Sequence, residues 1–264
     1  MKVGFIQTSP VFGRVEENVE DVVRRLASPR MRGVELLVLP ELFSTGYQFR
    51  SRKELSGFAE EVPGGYTVGR LAEIAGAMRL HIVAGIAERS SGRVYNSAVL
   101  VGPGGLLGLY RKAHLFWDEK RLFSPGDTPF RVYDIGRARI GMMICFDWLF
   151  PEAARRLALD GADIICHPSN LVLPYCPEAM ITRTLENRVF AVTANRVGSE
   201  ERVKDKPLRF IGLSQIVSPR GEILCRASRR RAEARVVDID PEEARNKRIT
   251  PKNHIFRDRR EDLY

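Results

Sequence analysis

Short apolar runs alternate along the chain with segments whose apolar residues recur at helical spacing. The runs are rich in β-branched residues and are bounded by Gly, Pro or Asn, which is typical of strands. They cover residues 3–7, 35–39, 81–87, 97–101, 140–145, 163–167, 191–195, 214–217 and 234–238. Apolar residues at helical spacing predict helices over residues 16–27, 67–78, 151–159 and 177–188. The helix over 151–159 has a proline in its first turn, where proline is favoured. Helices interspersed among strands predict an α/β fold in which helices cover sheets.

Two stretches of the chain share one layout of strand, helix, glycine, strand and proline. Residues 2–7 lead through a helix to 33–41, and residues 139–145 lead through a helix to 161–169. Two ordinary βαβ units would explain much of this likeness. A true internal repeat would pack two halves about a pseudo-dyad, and would bring the strand end at Glu41 close to the strand end at Cys145.

Length and composition indicate one globular domain over residues 1–264. Hydrophobic content of 44% and charged content of 28% are ordinary globular values, which argues against disorder. No apolar stretch reaches membrane-spanning length, and the strand pattern begins at the N-terminus without a signal-peptide core. Four cysteines show neither C-x-x-C pairing nor metal-ligand spacing. We therefore expect free thiols, no metal and a cytoplasmic protein with no membrane attachment.

The net charge of +9 raises the question of nucleic-acid binding. The excess is carried by 34 arginines, against 8 lysines, and most arginines lie beside acidic residues. The longest basic run, residues 229–231, is shorter than a typical nucleic-acid patch, so we expect no nucleic-acid partner. Salt-dependent binding to duplex DNA would test this alternative. Arginine in mixed-charge surfaces also suits a thermostable protein, which is a hypothesis.

Cys145 is the first candidate for chemistry. It ends an apolar run and is followed by a helix signal from Pro151, which places a thiol at a strand-to-helix turn. Such turns direct nucleophiles into clefts. The alternative is a small core residue, because free cysteine is among the most buried residue types.

Glu41 and Lys112 are candidates for a base and a cation. Glu41 follows a predicted strand at the end where open α/β sheets bind ligands, and its apolar surroundings favour a raised pKa. Lys112 follows the turn at residues 102–105, and an ammonium there would lower a thiol pKa and hold an oxyanion. The alternatives are a capping or ion-paired carboxylate for Glu41 and a solvated loop charge for Lys112.

Two further residues carry weaker signals. Glu119 is a second carboxylate candidate, although Asp118 and Lys120 flank it and favour an exposed charged turn. His167 precedes a proline at a predicted strand end, and we interpret it as a hydrogen-bonded core histidine rather than the partner of a Cys–His pair.

Three blocks resemble the catalytic blocks of the nitrilase superfamily of carbon–nitrogen hydrolases. They cover residues 39–43, 110–115 and 143–147 and occur in the family order of Glu, Lys and Cys. Supporting stretches cover residues 95–98, 123–126, 194–196 and 258–260, so the resemblance spans nearly the whole chain. It is closest to compact single-domain members such as archaeal nitrilase-like proteins and N-carbamoylputrescine-type amidases.

The resemblance implies a role for each matching residue. Cys145 matches the nucleophile, Glu41 the general base, and Lys112 the cation that stabilises the tetrahedral intermediate. Glu119 matches a second glutamate that positions substrate or lysine, and the backbone N–H of Phe146 matches an oxyanion donor. The implied fold is a four-layer αββα sandwich that assembles at least into dimers and uses no metal or cofactor. Residues 245–264 are predicted to form a dimer arm, and a loose surface tail is the alternative.

Loops after the matching strands are expected to contact a small-molecule substrate. Their candidate residues are Phe43, Tyr47, Trp148, Asn170, Leu171 and Val172. Residues 170–174 carry no arginine to bind a carboxylate, so a small amide, an N-carbamoyl amine or an aliphatic nitrile is expected. Amidase and nitrilase activities use the same three residues and are not separated by these motifs. An inactive interaction protein of the same fold is the alternative from another class.

Overall fold

The computed structural model describes residues 1–263. The first part of the chain forms strands β1 to β5 and helices α1 to α3. In chain order these are β1 (Lys2–Gln7), α1 (Val15–Leu26), β2 (Leu36–Val38), α2 (Arg52–Phe58), α3 (Tyr66–Met78), β3 (His81–Ser90), β4 (Arg93–Gly102) and β5 (Gly105–Arg111). A short 3-10 helix at Pro29–Met31 precedes β2.

The second part begins with a one-turn helix and ends with a charged tail. In chain order its elements are α4 (Glu119–Leu122), β6 (Val132–Asp134), β7 (Arg139–Met142), α5 (Pro151–Leu159), β8 (Ile164–Pro168), α6 (Cys176–Asn187), β9 (Phe190–Ala194), β10 (Ser199–Glu200), β11 (Leu208–Arg209), β12 (Gln215–Val217), β13 (Ile223–Arg226), β14 (Glu233–Asp238) and α7 (Glu242–Arg245). A 3-10 helix at Cys145–Leu149 separates β7 from α5.

Two six-stranded mixed sheets repeat one pairing pattern. The first has the order β14-β1-β2-β3-β4-β5 and the second, read from its far edge, β6-β7-β8-β9-β12-β13. In each sheet an antiparallel edge pair is followed by two parallel pairs and then two antiparallel pairs. β1 and β2 therefore correspond to β7 and β8. The predicted internal repeat is confirmed at the level of strand order and direction.

Alternation along the strands builds four layers. In β2, Leu36 and Val38 pack in the cluster that also contains Ile140 and Ile164 of the second sheet, whereas Leu37 packs in an outer cluster. Side chains of α1 and α3 fill that outer cluster: Val19, Val22, Leu26, Val68, Leu71 and Ile74. Helix α5 covers the other sheet, since a Cβ at Gly141 would lie 2.8 Å from Leu157 Cδ2. The αββα sandwich expected from the sequence is confirmed.

Strand β5 was not predicted, although its residues lead directly into Lys112. Glycines at 105 and 108 interrupt the β-branched pattern that marks the other strands. At Gly108 the ring of Tyr133 packs against the backbone, and a Cβ would lie 2.6 Å from Tyr133 Cε1. A β-branched side chain, which would normally indicate a strand, cannot occupy position 108 because the ring of Tyr133 packs against the backbone there.

The C-terminal tail packs on its own chain. Lys247 Nζ donates to the carbonyl oxygens of Asn187 (3.1 Å) and Arg188 (2.7 Å) at the end of α6, and lies 5.2 Å from the ring centroid of Phe256. These contacts fix the start of the predicted dimer arm; its last residue, Tyr264, lies outside the described residues. Among residues 1–263, no helix is both long enough and apolar enough to cross a membrane.

Candidate active site

Glu41 lies directly after the central strand β2, in a segment that remains paired with β3. Gly85 N donates to the Pro40 carbonyl (3.1 Å), and the Gly85 carbonyl accepts from Phe43 N (3.2 Å). The approach is so close that a Cβ at Gly85 would lie 2.4 Å from Glu41 Cα. Glycine at 85 therefore allows the fully buried Glu41 to occupy the strand end.

This approach predicts different effects for two Gly→Ala substitutions. Gly85→Ala forces the backbone around Glu41 to move and is expected to lower the free energy of unfolding by about 2 kcal/mol or more. Gly57→Ala in α2, where a new Cβ meets nothing within 4 Å, is expected to raise it by about 0.5 kcal/mol. Urea denaturation of the two variants measures both changes. A Gly85→Ala protein as stable as the wild type would contradict the packing described for Glu41.

Lys112 lies immediately after β5, buried between two carboxylates. Its Nζ donates to Glu41 Oε1 (2.7 Å) and lies 2.8 Å from the Glu119 carboxylate. Asn96, on the neighbouring strand β4, also donates through Nδ2 to Glu41 Oε1 (2.7 Å). The alternative of a solvated loop charge is contradicted, since the Lys112 side chain is 0% exposed.

Glu119 is turned inward by α4. Its Oε1 accepts from the Tyr47 hydroxyl (2.7 Å) and its Oε2 from the backbone N–H of Phe116 (2.9 Å). It is 2% exposed, whereas Asp118 is half-buried and Lys120 is exposed. The flanking charges thus belong to the surface and Glu119 to the interior, which contradicts the alternative of an exposed charged turn.

Burial and charge act against each other in this cluster. Burial alone would lower the pKa of Lys112, but the carboxylates of Glu119 and Glu41 hold it above its ordinary value. Burial raises the pKa of Glu119 to about 7, although the Lys112 ammonium opposes this shift. Lys112 therefore remains a cation at neutral pH.

Cys145 occupies a strained turn beyond β7. The predicted strand over 140–145 ends earlier, at Met142, and Cys145 opens the following 3-10 helix with φ +40°, a region uncommon for non-glycine residues. The Cys145 carbonyl accepts from His167 Nε2 (2.9 Å), and Asp147 Oδ2 accepts from Ile144 N (2.8 Å). Bonds on both sides of the cysteine thus hold the turn.

Burial raises the pKa of the Cys145 thiol well above its ordinary value. The Glu41 carboxylate adds to this rise, whereas the Lys112 ammonium and the backbone N–H of Asn170 oppose it. At rest the thiol is protonated, so a base must take its proton before the sulfur can attack.

His167 is a hydrogen-bonded core histidine, as predicted. Burial lowers its pKa to about 4, so the ring is neutral. Its Nε2 donates to the Cys145 carbonyl rather than to the thiol, and its Nδ1 lies 3.1 Å from Thr193 Oγ1. This arrangement contradicts a Cys–His pair at His167.

A small apolar pocket opens at Cys145. It is lined by Phe116, Cys145, Phe146, Trp148, Asn170, Leu171, Val172 and Leu173. No lining residue carries a charge. Asn170 supplies the carboxamide of the pocket, and both its Oδ1 and its Nδ2 are buried without a hydrogen-bond partner.

Comparison with known proteins identifies the family. A family profile described as "Carbon-nitrogen hydrolase" matches residues 2–249. The chain belongs to the carbon–nitrogen hydrolase family. It is 48% identical to a nitrilase of Pyrococcus abyssi over 264 residues, covering 100% of this chain and 99% of that protein. An N-carbamoylputrescine amidase of Solanum lycopersicum is 31% identical over 95% of this chain and 89% of its own length.

A solved structure adds chemical detail from a relative. It is an amidase variant from Nesterenkonia sp. AN1 in which acrylamide has added to the active-site cysteine. It superposes with a TM-score of 0.78 and 25% identity, covering 94% of this chain and 96% of that chain. This protein is accordingly a carbon–nitrogen hydrolase, and in the Nesterenkonia relative the active-site cysteine reacts with an electrophile.

The hydrolase brings together most of the residues predicted for its site. Glu41, Lys112 and Glu119 form one hydrogen-bonded cluster, and Lys112 and Glu41 both act electrostatically on the Cys145 thiol. The pocket contains four predicted substrate contacts and the predicted oxyanion residue, which are Trp148, Asn170, Leu171, Val172 and Phe146.

Phe43 and Tyr47 lie elsewhere in the hydrolase. Phe43 packs in the outer cluster beneath α1 and α3, because the chain turns sharply at Leu42, whose φ is +47°. We correct its assignment: it is a core residue and does not line the Cys145 pocket. Tyr47 lines a neighbouring pocket together with Glu119, and its hydroxyl donates a hydrogen bond to the Glu119 carboxylate.

Sequence reasoning missed two supporting residues of the hydrolase. Asn96 anchors Glu41, and Asp147 ties the cysteine turn to the segment that carries Lys112. Asp147 Oδ2 accepts from the Tyr110 hydroxyl (2.8 Å), and Oδ1 from the backbone N–H of His114 (3.1 Å). Both residues lie inside stretches that carried the family resemblance, which was the available signal. Within residues 1–263, no group of three His, Cys, Asp or Glu is placed to hold a metal ion.

Proposed function

We propose that this carbon–nitrogen hydrolase cleaves small neutral amides or N-carbamoyl amines, with Cys145 as nucleophile. One observation carries the proposal. A buried Lys112 ammonium lies between Glu41 and Glu119, beside a protonated thiol on a strained turn. Glu41 holds Lys112 and Asn96 through Oε1, while its Oε2 is buried without a partner and is available to a proton.

The first half of the reaction forms an acyl enzyme. Glu41 takes the proton of Cys145, and the sulfur attacks the carbonyl carbon of the substrate, forming the S–C bond. The carbonyl oxygen becomes an oxyanion that Lys112 and the backbone N–H of Phe146 stabilise, each such donor contributing on the order of 3 kcal/mol. When the intermediate collapses, the C–N bond breaks, its electron pair stays on nitrogen, and protonated Glu41 returns its proton, so that ammonia leaves.

The second half removes the acyl group with water. Glu41, again a carboxylate, takes a proton from water, and the hydroxide attacks the thioester carbon. The C–S bond then breaks, and the sulfur is reprotonated by Glu41. An amide thus gives a carboxylic acid and ammonia; an N-carbamoyl amine gives ammonia and a carbamic acid, which decomposes to the amine and carbon dioxide. Glu119 positions Lys112 in both halves.

The pocket favours an uncharged substrate. Its lining is apolar except for the thiol and the carboxamide of Asn170, and a charged group buried there would lack a partner. The unpartnered Oδ1 and Nδ2 atoms of Asn170 match the N–H and C=O groups of a carboxamide or ureido group. The name of the Solanum relative supports an N-carbamoyl group as the group that reacts.

A nitrile is the second candidate. The relative that is 48% identical over the whole chain is named a nitrilase, and a nitrile carbon would meet the same thiol and cation. A nitrile substrate requires two molecules of water to reach the acid and ammonia.

Ammonia release from a substrate panel tests the proposal. The panel comprises propionamide, N-carbamoyl-n-butylamine, N-carbamoyl-β-alanine and propionitrile. We expect release from the neutral amide or carbamoyl amine, and at least tenfold lower kcat/KM for the carboxylate-bearing compound. Preferred turnover of N-carbamoyl-β-alanine would overturn the assignment of a neutral substrate, and preferred turnover of propionitrile would favour the nitrilase alternative.

We further propose that the protein is a cytoplasmic, thermostable homodimer whose tail contributes to the interface. The residues after α7 begin beside the end of α6, where Lys247 bonds to the Arg188 carbonyl and lies against the ring of Phe256. A chain truncated before Pro251 keeps Lys247 but loses Phe256 and the rest of the tail. We expect it to elute from size exclusion as a monomer, whereas the full chain elutes as a dimer. An unchanged elution mass would leave the arm without support.

A further inference from the structure

A buried ion pair lies behind the catalytic carboxylates. Arg196, just after β9, pairs through Nη1 with Glu200 Oε1 in β10, and the two residues are 2% and 6% exposed. The guanidinium also lies 4.0 Å from the ring centroid of Phe210. None of these residues lines the Cys145 pocket.

Glu200 joins the two halves of the fold through backbone hydrogen bonds. Its carboxylate accepts from the N–H of Tyr47 (3.1 Å) and of Gln48 (2.6 Å), in the loop that follows Glu41. Glu200 belongs to the two-stranded sheet of β10 and β11, so a carboxylate of this small sheet sets the position of the loop that follows β2 in the first six-stranded sheet.

Tyr47 connects this loop to the reacting groups through hydrogen bonds. Its hydroxyl donates to Glu119 Oε1 (2.7 Å), and the same carboxylate holds Lys112 Nζ at 2.8 Å. The ring of Tyr47 packs edge-on against Phe210 at 6.0 Å between centroids. Contacts thus run without a break from the ion pair to the oxyanion-binding cation.

Stability alone is a weak reason for such a pair. Removing two charges from water costs several kcal/mol each, and apolar replacements of buried ion pairs are often equally stable. An apolar pair would not accept two backbone N–H groups in a fixed direction. The feature particular to Glu200 is this pair of acceptor bonds to the Tyr47 loop.

We propose that Arg196 and Glu200 are positioning residues that hold the Tyr47 hydroxyl on Glu119 and so orient Lys112 toward the oxyanion. The inference rests on the proposed roles of Cys145, Lys112 and Glu119. Positioning groups affect turnover strongly, because small displacements of reacting groups are costly.

A double-mutant cycle tests the route through Tyr47. The variants are Glu200→Gln, Tyr47→Phe and the double variant, assayed on the amide that the wild type hydrolyses fastest. We expect each single variant to lower kcat about tenfold with KM within about twofold, and the double variant to be no slower than Tyr47→Phe alone. Multiplicative losses, or an unchanged Glu200→Gln enzyme, would overturn the proposal.

The control breaks a different ion pair, which joins α2 to the residues that follow β10. Glu54 Oε1 accepts from Arg202 Nη2 (2.7 Å) without contacting Tyr47, and Glu54→Gln is expected to keep wild-type kcat. Arg196→Lys keeps the buried charge but loses the planar guanidinium over the Phe210 ring. A second double-mutant cycle combines Arg196→Lys with Tyr47→Phe, and so tests the other residue of the ion pair. Arg196→Lys too should show no added loss in the Tyr47→Phe background; an added loss would count against the route through Tyr47.

Two readouts separate positioning from general loss of structure. The rate of Cys145 alkylation by iodoacetamide needs no substrate, and it should change in Glu200→Gln and Tyr47→Phe but not in Glu54→Gln. Loss of the Tyr47 bond removes a donor from ionised Glu119, whose charged neighbours are Lys112 and Glu41, so the acid limb of kcat should move to higher pH. Equal alkylation rates and pH profiles in all variants would overturn the proposal, whereas a turnover unaffected by Cys145→Ala would defeat the proposed function itself.

Discussion

Replacing Cys145 by alanine is expected to abolish ammonia release and to leave the fold intact. Without the sulfur no acyl enzyme forms, and loss of a nucleophile of this kind lowers kcat by at least about 10⁴-fold. The turn survives because its hydrogen bonds come from the backbone carbonyl of Cys145 and from Asp147, not from the thiol. The free energy of unfolding should change by no more than about 1 kcal/mol.

The matched control is Cys225→Ala. Cys225 is a free, partly buried thiol in β13, outside the active-site pocket, and its removal should leave turnover unchanged. Intact-mass measurement during turnover should show an acyl adduct on the wild type and on Cys225→Ala, and none on Cys145→Ala. Wild-type turnover by Cys145→Ala would show that the chemistry uses another group. Failure of iodoacetamide to label Cys145 in the wild type would favour an inactive interaction protein.

The sequence indicated the strand ends that carry the reacting groups, because both sheets are built from regular apolar runs. Glu41 follows β2, the second strand of the first repeat, and Cys145 follows β7, the first strand of the second repeat; the residues of both strands are buried except Arg139. The side chains that hydrogen-bond to the catalytic carboxylates could not be predicted from local sequence patterns. Asn96 meets Glu41 across 55 positions of sequence, and Tyr47 meets Glu119 across 72. Such contacts depend on sheet register and loop geometry, which local pattern does not encode.

Phe43 shows that residues close in sequence need not share a pocket. Its closeness to Glu41 in sequence suggested a shared pocket, but the positive φ of Leu42 separates neighbouring residues into different clusters. Leu42 packs with Phe49 and Leu55, whereas Phe43 packs beneath the outer helices. A turn of this kind is not marked by glycine or asparagine, so the sequence carries no sign of it.

Lys112→Met is expected to lower both activity and stability, and the loss of stability should depend on pH. Removal of the ammonium leaves the carboxylates of Glu41 and Glu119 buried without their shared cation. Removing one partner of a buried ion pair typically lowers the free energy of unfolding by about 3–5 kcal/mol at neutral pH. Turnover should fall by about 10²-fold or more, because the oxyanion loses its charged donor.

The sign of the pH effect follows from the raised pKa of Glu119. Burial raises its pKa to about 7 in the folded protein, above the 4.5 of an unperturbed glutamate, so the folded state binds the proton more tightly. Stability from this group is therefore fully present below about pH 4.5 and is lost as the pH rises through the folded pKa. Without Lys112, which opposes the rise, the folded pKa goes higher and the loss extends further into the alkaline range. The stability deficit of Lys112→Met should be smallest near pH 5 and largest near pH 8.

A triple variant separates the structural from the chemical role of the lysine. Lys112→Met combined with Glu41→Gln and Glu119→Gln removes all three charges, so the unpaired buried carboxylates no longer exist. Urea denaturation from pH 5 to pH 8 should show most of the lost stability restored and its pH dependence flattened, while ammonia release stays absent. A deficit in Lys112→Met that is equal at every pH, or a triple variant no more stable than the single one, would mean that these carboxylates do not titrate as a buried cluster. Restored stability without restored turnover would show that the instability of Lys112→Met comes from its unpaired buried carboxylates and is separate from the loss of chemistry.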